Sequence, residues 1–195
     1  MQLSQSMKRT VLAGAIALAL PMAAFAQVKV GVTVSSTGPA ASLGIPERNT
    51  VSLLPTEVAG QKVEYIVLDD GTDTTVAVRN MRKLITEDNV DVVIGTSVTP
   101  GSLAMIDVAG ETQTPMISVS ANARIVEPVE GAREWVFKTP QNDQLMASAL
   151  ADAMEKQGIK TLGFIGYNDA YGDGWLDVMT KAAEAKGIKM AGVER

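Results

Sequence analysis

The residues of this chain best suited to chemistry are hydroxyls and amides at the ends of apolar runs. GTSVTP, at 95–100, closes the run DNVDVVIG, and PMISVSANA, at 115–123, repeats the arrangement with Ser118, Ser120 and Asn122. In an open parallel sheet, ligands bind in the crevice beyond the carboxyl ends of the strands. A helix beginning near Ser102 would bring unpaired backbone N–H groups and a partial positive field to that place. Ser97 and Thr99 would add donors beside them. Such a site suits a carboxylate or another small anion and needs no arginine.

The rest of the inventory narrows the chemistry. The chain has no histidine and no cysteine, which removes imidazole bases, thiolate nucleophiles and the usual zinc ligands. No base–nucleophile pair stands out among the remaining carboxylates, hydroxyls and amines. The expectation is a protein that holds its ligand unchanged, with no catalysis, cofactor or metal. Two further polar loops, SSTGPAASLG at 35–44 and GYNDAYGDGW at 166–175, also follow strand-like runs. Tyr171, flanked by turn residues, is placed to close over an apolar part of a ligand.

Each feature has a plainer reading. Ser and Thr ahead of helices often serve only as caps, and Gly-Pro marks turns. Recurrence of such loops at strand ends favours a shared ligand site. Asp69-Asp70-Gly71 could hold a cation but more simply ends a strand and turns the chain. Asp169, Asp173 and Asp177 lack the spacing of a calcium loop, and Gly31, Gly38 and Gly44 lack that of a dinucleotide fingerprint.

The elements that must position these residues alternate between two periods. Strands are expected at 28–35, 62–69, 90–95 and 115–120, with helices at roughly 42–54, 74–88 and 102–111. In the second helix Val78, Met81, Leu84 and Ile85 form an apolar stripe, with Asp73 as its cap. The near-continuous apolar strands are those of a parallel sheet covered on both faces. A seam of loop character at 123–143 follows, containing an apolar WVFKT and broken at Pro140. A helix at 143–158 comes next, with Leu145, Met146, Ala149, Leu150, Ala153 and Met154 expected inward and Gly158 as its stop. Then come a strand at 159–167, a helix at 173–187 and a strand from 188. Two strands and two helices leave a sheet open at its edge. Residues 144–195 therefore either complete the first sheet or, as expected here, begin a second unit that continues past this chain.

The ends and the charge set the compartment. Lys8 and Arg9, the apolar run 11–20 and Ala24-Phe25-Ala26 read as a signal peptide over 1–26, cleaved before Gln27. The run is too short for a membrane span, and export to the periplasm is expected. Removing Lys8 and Arg9 from 17 basic residues leaves 15 against 22 acidic, a formal charge of −7. That balance argues against nucleic acid or an anionic membrane as a partner.

Taken in order, VKVGVTVSSTGPAASLGIPERN, VEYIVLDDGTDTTVAVRNMRKLITEDNVDVVIG, TPMISVSA and FKTPQNDQLMASALADAMEKQGIKTLGFIGYNDAYGDGW resemble the periplasmic solute-binding proteins of branched-chain amino acid ABC transporters. The likeness runs through residues 28–195. It implies a type I periplasmic-binding-protein fold, an α/β architecture with a parallel sheet flanked by helices. An N-terminal lobe over 27–139 would be followed by a hinge crossing and the start of an incomplete second lobe over 140–195. It further implies a small carboxylate ligand, a membrane permease as partner, no enzymatic activity and a monomer at full length. Carried over position by position, the ligand contacts fall on Ser97, with Val98 and Thr99 beside it, on Ser120 and Asn122, and on Tyr171. Asn122 stands where the family has threonine, which leaves the amino-group contact open. Leu43 stands where leucine-type binders carry an aromatic, which points to a ligand of different shape. The family's acidic partner for a ligand ammonium lies beyond residue 195. Three readings follow: a branched-chain or related amino acid binder, a binder of an aromatic or dicarboxylic acid without an amine, or a sensing module that feeds a receptor.

Overall fold

The computed structural model describes residues 27–195, so the leader expected over 1–26 lies outside the described residues. β1 (Val28–Val34) occupies the interior of a six-stranded sheet ordered β2-β3-β1-β4-β5-β6. It pairs in parallel with β3 (Gln61–Asp69) on one side and β4 (Val92–Gly95) on the other, so that Val32 sits between Val67 and Ile94. β5 (Met116–Ser118) and β6 (Val136–Lys138) extend the sheet in parallel, and β2 (Glu57–Val58) adds a short antiparallel edge.

The period of two sorts the side chains onto the sheet's faces. Ile66 and Leu68 pack with Met81, Leu84, Val93, Met105, Val108 and Met116. Tyr65 and Val67 join Val30, Val32 and Val34 in a separate cluster. α2 (Thr74–Thr86) and α3 (Thr99–Thr112) cover the first face, and Met81, Leu84 and Met105 are wholly buried there. Leu84 fills the space against Gly31, where a Cβ would come within 3.0 Å of its Cδ1. Leu84→Ala should therefore lower stability by about 2–5 kcal/mol, read from urea denaturation. Asp73 caps α2 as expected, accepting from the backbone N–H of Thr75 and Val76.

Several expectations need correction. The apolar WVFKT is not loop alone, because Val136–Lys138 forms β6 on the first sheet. Three residues are too few to display a period of two, so the apolar run carried no strand pattern. β2, two exposed residues long, had no pattern to show. α3 starts at Thr99 rather than near Ser102, since Val98 takes the extended N-cap position and Pro100 fits the first turn.

β7 (Thr161–Ile165) and β8 (Lys189–Glu194) form a separate two-stranded parallel sheet, with α4 (Asp143–Lys156) and α5 (Ala170–Ala185) packed together. The inward face expected for α4 is wrong. Leu145, Met146 and Leu150 are exposed, as are Ala149 and Ala153, while Ala147 and Ala151 are buried and Met154 partly so. Small residues let α4 and α5 approach closely, and a count of apolar side chains points to the wrong side of the helix. Gly158 ends that segment with φ of +74°, as a helix stop requires.

Candidate ligand-binding site

The site is built where β1, β3 and β4 end. Gly95, the last residue of β4, has φ of +138°, and a Cβ there would lie 2.0 Å from the Thr33 carbonyl oxygen. Only glycine fits. Thr96 then turns inward, and its hydroxyl donates to Asp70. Asp70 is almost wholly buried and gathers the three strand ends. The Ser35 hydroxyl donates to it at 2.6 Å, the Thr72 N–H at 2.9 Å and the Thr33 hydroxyl at 3.5 Å. Asn80 on α2 braces the same cluster, donating to the Thr33 hydroxyl at 3.2 Å and the Asp69 carbonyl at 2.9 Å.

Ser97 sits directly above this hub. Its Oγ accepts from the Ser35 N–H at 2.9 Å and donates to Oε2 of Glu47. Glu47 lies on α1 (Ala41–Val51), one turn after Gly44. A Cβ on Gly44 would come within 2.1 Å of the Ser35 carbonyl oxygen. Glycine therefore lets α1 meet the end of β1 and delivers Glu47 to Ser97. Burial pushes the Glu47 carboxyl above its ordinary range, the Ser97 hydrogen bond opposes that, and the Asp70 charge adds to it.

A second group of hydroxyls links β5 to α3. Ser102 and Ser118 lie 2.8 Å apart Oγ to Oγ, and the Ser118 Oγ accepts from the Ser120 N–H at 3.0 Å. Ser120 donates its own proton to the Thr96 carbonyl at 3.0 Å. Thr99, at the start of α3, is buried, and its Oγ1 has no hydrogen-bond partner among the described residues. No side chain caps that helix. Its N-terminus thus presents free N–H groups beside an unpartnered hydroxyl, a combination that suits an anion.

The structure brings Ser97, Thr99 and Ser120 together around the ends of β4 and β5. Val98, between two of them, is partly exposed, and Leu43 stands half exposed on the first turn of α1. Asn122 ties the two units: its Nδ2 donates to the Ala170 carbonyl at 3.2 Å, and its Oδ1 accepts from the Arg124 N–H at 2.9 Å. A Cβ on Gly174 would collide with that amide, so α5 comes close at this point. Tyr171, in the first turn of α5, packs between Tyr167 and Trp175, with ring centroids 6.4 Å from each. The three aromatics line a cavity of about 430 Å³ with Phe164 and Gly172. Glu47 and Asp70 are the participants that sequence reasoning missed as site residues. Asp70 looked like a turn residue, and Glu47 had no local signal beyond Gly44 one turn before it.

A crevice of polar strand ends and a helix N-terminus lies beside a second α/β unit carrying an aromatic-walled cavity, the layout of an α/β protein of two units. The chain belongs to the periplasmic binding protein family, whose model matches residues 27–195. It is 45% identical to an extracellular ligand-binding receptor from Rhodopseudomonas palustris HaA2, with a TM-score of 0.84 over 87% of this chain and 47% of that one. A solute binding protein of an ABC transporter from Rhodopseudomonas palustris BisB5, solved with 3,4-dihydroxybenzoic acid, is 26% identical, with a TM-score of 0.79 over 86% of this chain and 47% of that one. A leucine binding protein from Thermotoga maritima MSB8 shares the fold at 22% identity, with a TM-score of 0.78 over 86% of this chain and 49% of that one. The chain spans about half the length of these solved relatives. No curated protein sequence matches it. Among the described residues no helix is long and apolar enough to cross a membrane, and no acidic cluster suits a metal ion.

Proposed function

We propose that this protein binds a small carboxylate-bearing ligand outside the cytoplasm and hands it, unchanged, to the membrane permease of an ABC transporter. The observation that carries this reading is Thr99, a buried hydroxyl without a partner among the described residues, at the N-terminus of α3, which no side chain caps. Ser97 and Ser120 flank it, and the 26%-identical relative holds a carboxylate ligand. The resemblance to branched-chain amino acid binders makes an amino acid of that class the first candidate. An aromatic carboxylate is the second, favoured by the Tyr167–Tyr171–Trp175 cavity and by aliphatic Leu43.

The test is a thermal-shift panel of leucine, valine, 3,4-dihydroxybenzoate, 4-methylpentanoate and succinate, each beside its uncharged amide. A carboxylate should stabilise the protein where its amide does not. No shift with any carboxylate, or equal shifts with the amides, would overturn the reading. Thr99→Val supplies a sharper check. The hydroxyl bonds none of the described residues, so stability should hold while affinity drops by about 1–2 kcal/mol, the scale of one charge-assisted hydrogen bond. Isothermal titration reads that loss.

A further inference from the structure

The hydrogen bonds around Ser97 leave it no proton to give. A serine hydroxyl has one proton and two acceptor positions. Here the Ser35 N–H occupies one acceptor position at 2.9 Å, and the proton points to Glu47. A ligand carboxylate arriving at Ser97 therefore meets an oxygen without a free donor, with the Glu47 carboxylate beside it and Asp70 behind. As it stands, this corner of the site repels the ligand that the neighbouring Thr99 and helix N-terminus attract.

One proton resolves the conflict. If Glu47 is protonated, its carboxylic acid donates to the remaining acceptor position of Ser97. The Ser97 proton then turns to the ligand. One negative charge enters with the carboxylate and one is neutralised on Glu47, so the local charge does not change. The surroundings of Glu47 favour this outcome. Asp70, from the loop after β3, adds its charge nearby, and Ser97, from the loop after β4, is the hydrogen-bond partner of Glu47. Ser35, just past the end of β1, contributes the N–H that Ser97 accepts and is not titratable. Arg48, the next residue on α1, lines a different cavity with Gln27, Glu64 and Tyr65. Burial and the Asp70 charge already lift the Glu47 carboxyl above its ordinary range.

We infer that Glu47 is a ligand-recognition residue that takes up a proton when a carboxylate binds, thereby releasing the Ser97 hydroxyl to the ligand. The inference rests on the carboxylate reading above. It makes affinity pH-dependent with a defined sign. The bound form holds more protons than the free form, so affinity falls as pH rises above the free-state value of Glu47, by up to about tenfold per pH unit.

The experiment is isothermal titration of the protein with sodium 3,4-dihydroxybenzoate and with leucine, between about pH 6 and about pH 8, in phosphate and in Tris. The difference in heat between two buffers of unlike ionisation enthalpy counts the protons taken up. Uptake approaching one proton per ligand, with affinity falling as pH rises, is the expected result. Glu47→Gln keeps an N–H that can donate to Ser97 in place of the acid proton. That variant should show no uptake and a flat pH profile, with affinity at pH 8 at or above that of the wild type. A merely structural role for Glu47 would not move the pH profile. Carboxylate binding by the wild type without proton uptake overturns the inference and leaves the carboxylate reading intact. So does a Glu47→Gln variant that keeps the wild-type slope. The wild-type proton count stands even if the variant folds poorly. Silence from every carboxylate in the panel overturns the underlying reading instead, and this inference with it.

Discussion

Gly95→Ala should be severely damaging, costing about 3–5 kcal/mol of stability and abolishing ligand binding. Two costs combine at this position. A φ of +138° is a conformation that side-chain-bearing residues scarcely adopt, and the new methyl would lie 2.0 Å from the Thr33 carbonyl oxygen. The obstacle is backbone in the central strand of the sheet, so no flexible side chain can swing aside. Relief requires β4 to separate from β1 at its end, and that end carries Thr96 and Ser97. Urea denaturation and isothermal titration would read the two losses. Gly163→Ala is the control: nothing lies within 4 Å of a Cβ there, so it should be close to neutral. Equal stability for both variants would show that the close approach at Gly95 is not real.

Asp70→Ala ranks second, at about 3–5 kcal/mol. Asp70 accepts from the hydroxyls of Ser35 and Thr96 and from the Thr72 N–H. Removing it leaves those donors in a nearly dry space, each costing about 1–3 kcal/mol if it stays unpaired. Binding should weaken as well, by about tenfold or more, because Ser35 and Thr96 fix the backbone on which Ser97 rests. Burial still raises the Glu47 carboxyl in that variant, but the contribution of the Asp70 charge is gone, so the carboxyl should move part of the way back toward its ordinary range. Stability from denaturation and affinity from titration test the two halves separately. A variant as stable as the wild type would mean that Asp70 is not the hub of the strand ends.

How legible the molecule was depended on how local each feature is. The strand ending at Gly95 and the hydroxyls after it could be read because strand, turn and helix start lie within about a dozen residues, each with its own pattern. The alternation of units was plain for the same reason. β6 escaped notice because three residues cannot show a period. The buried face of α4 was misread because alanine-to-alanine packing decided it, while larger apolar side chains stayed outside. The Ser97–Glu47 bond joins positions 50 apart in sequence, and Asp70 meets Ser35 across 35. No local pattern encodes such meetings, since they follow from which strands become neighbours. The resemblance to binding proteins of known layout points to Ser97, Thr99 and Ser120 as ligand contacts, but says nothing of Glu47.

The strand order also bears on how the chain is made. Among the described residues each strand of the larger sheet lies before residue 139, and the first in chain order, β1, ends up in the interior. β3 then joins one flank of β1 and β4 the other, after which β5 and β6 add outward in turn. Once β2 and β3 have paired as a hairpin, that hairpin and each later strand of the described sheet find an open edge, and none has to wedge between strands that have paired. Assembly can therefore proceed in chain order, each arrival capping the apolar edge left by the last and shortening the time that edge is open to other chains.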